Sequence, residues 1–134
     1  MIILKNNVRY ILIDSLNTNN NGLAYWDEEM ILMDEGNSIT KLSKVMESKG
    51  HQLRYSPVGF SSEFHCSTEP QYVFILQGQM KITLQDGSYK IFVPGQYFYS
   101  NDLCPSNEIF DVKKHGHKSE NIGNLPLVTL FIKK

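Results

Sequence analysis

The chain has 134 residues, with 13 basic and 14 acidic side chains and a formal net charge of -1. That is one domain's worth of chain, long enough to bury a core without staples, and the charge balance gives no electrostatic case for nucleic acid, whose binders carry a basic face. The two cysteines, Cys66 and Cys104, are too few for a disulfide framework and read as reduced thiols.

The opening stretch, MIILKNNVRYILIDS, has apolar runs of about four residues, too short for a signal h-region. No run approaches the roughly 18 apolar residues of a membrane span. The expectation is a cytoplasmic protein that contacts neither membrane nor nucleic acid. Residues 8–13, VRYILI, read as a strand, and NTNNNG (17–22) as a turn, because Asn and Gly tolerate left-handed backbone. YWDEEMILM (25–33) fits a strand with a charged bend or a short helix, and the strand is preferred. ITKLSKVMESKG (39–50) is ambiguous: Ile39, Leu42, Val45 and Met46 have helical spacing, yet two short edge strands also fit. HQLRYSP (51–57) reads as a strand ended by proline.

The β signal strengthens from there. SEFHC (62–66) reads as a strand, STEP (67–70) as a turn, and QYVFIL (71–76) as a strand buried on both faces. QMKITLQ (79–85) alternates, with Met80, Ile82 and Leu84 on one side. Asp86-Gly87 is a strong hairpin signal and SYKIFV (88–93) its partner strand. Pro94-Gly95 turns into QYFYS (96–100). Residues 101–114 read as a long loop, HGHKSENIG follows, and LVTLFIK (127–133) is the last strand. Many short strands with regular turn signals mean an all-β sandwich or barrel, with at most one short helix. No second composition regime appears, so one domain over 1–134 is expected, with N-terminal strands in 1–56 and the barrel core in 57–134.

The frame Gln71-YVFILQ-Gly78, Asp86-Gly87 and Val93-Pro94-Gly95-Gln96 resembles the heart of the cupin fold, over roughly residues 57–132. It resembles more narrowly the small single-domain cupins of unassigned function, through Pro57-Val58-Gly59-Phe60, His65, Gln71-Tyr72, Gly116-His117 and the terminal Pro126-to-Phe131 strand. The resemblance implies a double-sheet jelly-roll barrel, often paired as a homodimer, that takes a small-molecule ligand. The usual metal motif is reduced here. Ser67 stands where a second histidine is usual, none falls near Ser106, and Gln96 replaces a common Asp. After the Pro-Gly strand, Asn101-Asp102 stands where relatives tend to have Glu-Asp.

His65 and Gln71 bracket a short turn, which puts them on neighbouring strands. An imidazole and an amide oxygen are acceptable ligands for a divalent cation. The alternative is a polar pair at the barrel mouth. His115 and His117 are i and i+2 and would share a face on a strand, unless KKHGHKSE is simply a solvated loop. If that segment folds over the mouth, His117 joins His65 and Gln71 as metal ligands for Zn, Fe, Mn or Ni, a protein without metal being equally compatible. Glu63 is in phase with His65 and is read as the carboxylate that orients it. Tyr72, Tyr97 and Tyr99 are the candidate ligand hooks, with core filling as their ordinary role. Two functions compete: a metal-dependent enzyme acting on a small polar molecule, and a non-catalytic binding barrel.

Overall fold

A computed structural model describes residues 1–134, and every regular element in it is a strand. In chain order these are β1 (Ile2–Lys5), β2 (Val8–Thr18), β3 (Ala24–Leu32), β4 (Glu35–Gly36), β5 (Lys41–Leu42), β6 (Gly50–Ser56), β7 (Gln71–Gln77), β8 (Met80–Thr83), β9 (Tyr89–Phe92), β10 (Tyr97–Asn101), β11 (Lys118–Asn121) and β12 (Leu127–Lys133). No helix long and apolar enough to cross a membrane is present. The helical spacing in 39–50 is overridden: β5 takes Lys41–Leu42, and Ile39 and Val45 lie almost fully exposed, so no packing partner rewards a helix.

Seven strands form one sheet in the order β1-β2-β10-β7-β12-β6, with β3 along the other side of β2. All pairs are antiparallel except β10 on β2, which is parallel, with Phe98 opposite Asp14 and Asn101 opposite Asn17. The second sheet, β11-β8-β9, packs across it. The segment 62–66, expected as a strand, forms none: two isolated bridges hold this stretch, Ser61 with Glu120 of β11 and His65 with His117, just ahead of β11.

Period-two alternation decides what faces in. Val73 and Ile75 of β7, Met80 and Ile82 of β8, Phe98 of β10, and Leu127 and Phe131 of β12 fill the space between the sheets. Phe98 stacks on Phe92 with centroids 4.6 Å apart, and Trp26 closes edge-on against Phe98 at 5.8 Å. The apolar core occupies one end of the roll. At the other end the same inward rows turn polar: Gln71 on β7, Ser100 on β10, Ser119 on β11 and Lys133 on β12. A polar-lined cavity of about 290 Å³ opens there.

Candidate active site

Three backbone devices build the polar end. First, the chain around His117 runs back antiparallel to His65: each N–H donates to the other's carbonyl at 2.9 Å. Their rings lie 4.8 Å apart between centroids. Gly116 makes this approach possible, since an added Cβ would stand 2.4 Å from the His65 carbonyl oxygen and the residue holds φ +83°. Gly116→Ala is therefore expected to cost roughly 2–3 kcal/mol from left-handed strain and overlap together. Thermal or chemical unfolding measures it. A cost under about 0.5 kcal/mol would mean that the two segments do not pair this closely.

Second, the inward row of β10 continues past its end, so that Phe98, Ser100 and Asp102 share a direction. Asp102 is completely buried. Its carboxylate accepts from Thr18 Oγ1 at 2.5 Å and from His117 Nδ1 at 2.9 Å, and its carbonyl accepts from Ser67 N–H at 2.7 Å. Third, Cys66 and Cys104 are joined by a disulfide that ties the loop after β10 to the His65 segment, with Cα atoms 5.7 Å apart. The expectation of separate thiols fails because the long 101–114 loop folds back onto its own barrel, a contact without local sequence signal.

The hydrogen bonds place a hydrogen on Nδ1 of each imidazole. His65 Nδ1 lies 2.9 Å from the Glu63 carbonyl oxygen. A carbonyl only accepts, so Nδ1 carries the hydrogen and Nε2 holds a lone pair. His117 Nδ1–H donates to the Asp102 carboxylate. Neither Nε2 has a partner in the protein, and both rings line the cavity. Burial, the largest influence, pushes the His65 imidazole below its ordinary value, against the opposing pull of the Glu63 carbonyl; His117 and Arg54 add to the lowering. His65 is therefore neutral near pH 7.

The sequence candidates are only partly brought together. His65, His117 and Gln71 all line the cavity. Gln71 Oε1, however, accepts from Lys133 Nζ at 2.6 Å, so an ammonium sits against the oxygen that a metal would need. Glu63 orients His65 through its backbone carbonyl, while its side chain is exposed. Tyr72, Tyr97 and Tyr99 stand on the opposite faces of β7 and β10 from Val73 and Phe98, and none lines this cavity. Tyr72 and Tyr97 instead line a hollow beneath residues 42–48. Both hydroxyls are pushed above the ordinary phenol value, first by burial and then by Glu29, to which Tyr72 donates at 3.2 Å. His115 does not pair with His117, because Gly116 turns the chain between them. Its Nδ1 accepts from Asp111 N–H at 2.9 Å within the loop.

As a metal centre the donor set is thin. Two imidazole nitrogens face the cavity, no group of three His, Cys, Asp or Glu side chains converges, and Lys133 and Arg54 add positive charge. Metal sites of this kind use three or four protein ligands, and the residues present fall short of that.

Comparison with solved structures returns matches of low similarity. The Schizosaccharomyces pombe Cnp3 cupin domain is 14% identical, over 92% of this chain and 81% of that one, with a TM-score of 0.44. A conserved protein of unknown function from Streptococcus pyogenes is 16% identical over 69% and 70%, TM-score 0.41. An ethanolamine utilization protein Q from Salmonella typhimurium is 10% identical over 92% and 94%, TM-score 0.36. The fold is an all-β roll of two packed sheets. No family model and no curated protein matches the chain. None of the three likenesses assigns a function to this chain.

Proposed function

We propose that this cupin-like barrel binds a small polar molecule in its cavity and moves a proton at one of its carbon atoms. His117 Nε2 takes the proton from an acidic C–H. The Asp102 carboxylate, already hydrogen-bonded to Nδ1–H, stabilises the imidazolium that forms. The same nitrogen returns the proton to the substrate, so the net change is an isomerisation or an exchange with solvent, with no redox partner. Neutral His65 offers its Nε2 lone pair to a substrate hydroxyl and holds the molecule in place. The observation that supports this reading is the buried Asp102–His117 pair at 2.9 Å with the far nitrogen of His117 left without a protein partner. A buried carboxylate behind a cavity-facing imidazole is the arrangement that a general base requires.

Two measurements test it. Nitrogen-15 NMR of the imidazoles is expected to show His65 and His117 both as Nδ1–H tautomers at pH 7.5, and an Nε2–H form at His117 overturns the assignment. Proton NMR in D₂O follows loss of carbon-bound hydrogen from pyruvate, pyruvamide, dihydroxyacetone and dihydroxyacetone phosphate. Exchange above the buffer rate is expected for at least one of them, and His117→Gln is expected to lower it by about 10²–10⁴-fold. Binding of a panel member with no exchange beyond buffer returns the barrel to a non-catalytic binder.

A further inference from the structure

The cavity has a second half that the proton-transfer reading does not use. Arg54 projects inward from β6, in phase with Gln52 and Ser56, and Lys133 projects inward from the end of β12, in phase with Thr129 and Phe131. Both line the same cavity as His65 and His117. Neither has a carboxylate partner: the ion pairs of the molecule involve Lys90, Lys114, His115 and His117. Arg54 rests over the Phe60 ring at 5.0 Å, which fixes its position and leaves its donors free. Lys133 is braced by the Gln71 amide oxygen at 2.6 Å, which uses one of its three hydrogens. No Asp or Glu lines the cavity, since Asp102 stands behind His117 with both its oxygens engaged. Two half-buried cations held by neutral groups, in a cavity with no acid, are costly unless an anion completes them.

We propose that Arg54 and Lys133 form an anion subsite and that the molecule bound in the cavity is a small organic anion, a carboxylate or a phosphate ester. A guanidinium matches either group with paired N–H bonds, and an ammonium adds a point charge. The assignment rests on the proton-transfer reading only for the fate of the rest of the molecule; anion binding stands without it. A cavity of about 290 Å³ lies at the small end of ligand pockets. The anion is therefore short, with its reactive carbon a few bonds from the charged end.

Titration calorimetry tests this with pairs that differ in the charged group: pyruvate against pyruvamide, dihydroxyacetone phosphate against dihydroxyacetone, and inorganic phosphate alone. At least one anion is expected to bind at least about tenfold more tightly than its neutral counterpart, and to weaken as sodium chloride rises. Preference for pyruvate assigns a carboxylate, and preference for dihydroxyacetone phosphate or inorganic phosphate assigns a phosphate. Arg54→Gln and Lys133→Gln are each expected to weaken that anion about tenfold or more, while Lys113→Gln, on the exposed loop, leaves it unchanged. Equal affinity within every pair, or no anion bound at 50 mM, overturns the proposal in the wild-type protein, whatever the variants do. The two proposals fail separately. Anion binding without exchange removes the proton transfer and keeps the subsite, and exchange of pyruvamide as fast as pyruvate without anion preference does the reverse.

Discussion

Asp102→Asn is expected to lower proton exchange on the best panel substrate by about 10²–10⁴-fold while leaving the barrel folded. The substitution keeps size and shape at a completely buried position, so the cost falls on charge and on hydrogen bonding. In the native protein one carboxylate oxygen accepts from Thr18 and the other from His117 Nδ1–H. An amide has one oxygen and one NH₂ group. If its nitrogen faces His117, Nδ1 must become the acceptor, the hydrogen moves to Nε2, and the base has no lone pair toward the substrate. If its nitrogen faces Thr18, the tautomer survives, but the negative charge that stabilises the imidazolium has gone. Either way the chemical step suffers. Asp102 does not line the cavity, so it is a positioning residue, and its signature is a fall in kcat with KM for the substrate little changed. Nitrogen-15 spectra of His117 separate the two orientations of the amide. A variant within about threefold of wild type in kcat would reduce Asp102 to a buried structural acid.

The route to Asp102 shows how far the sequence carries. The alternation of Met80, Ile82 and Leu84, the Asp86-Gly87 hairpin and the Pro94-Gly95 turn are local signals, and each lies where the strands β8, β9 and β10 require it. The fold class was legible for that reason. The site is assembled from chain positions far apart: Thr18, His65, Asp102 and His117 come from four different places, and nothing local ties them. A signal for Asp102 was nevertheless present. It continues the inward row of Phe98 and Ser100, and a carboxylate in phase with a buried aromatic asks for a buried partner. Lys133 carried the same signal, in phase with Leu127, Thr129 and Phe131. The tyrosines misled through the same geometry: adjacent residues on β10 face opposite ways, so Tyr97 and Tyr99 are outside because Phe98 is inside. The isolated bridge between His65 and His117 depends on a glycine with left-handed backbone, a feature that the residue type permits and does not specify.

Breaking the Cys66–Cys104 bond is expected to cost about 4 kcal/mol, from the chain entropy released when a loop of 38 residues is no longer closed. For a domain of this size that corresponds to a fall in Tm on the order of 10–15 °C. The bond does more than close a loop, because the two half-cystines flank the site. Ser67, next to Cys66, donates its N–H to the Asp102 carbonyl, and its hydroxyl lies 2.8 Å from that of Ser100. Cys104, two residues after Asp102, donates its N–H to Thr18 Oγ1 at 3.2 Å, and Thr18 holds the Asp102 carboxylate. Cutting the bond frees both ends of this short circuit, so amide protection at Ser67 and Cys104 is expected to fall together with Tm. The double substitution Cys66→Ala/Cys104→Ala and treatment with reductant should agree in both readouts. Disulfides persist in oxidising surroundings and are usually reduced or reversible in the cytoplasm, so thiol titration of protein purified without reductant is the deciding control. An unfolded chain with essentially no reactive thiol accompanies the expected Tm shift. Two reactive thiols and a shift below about 2 °C would mean that the Asp102 loop is held by its hydrogen bonds alone.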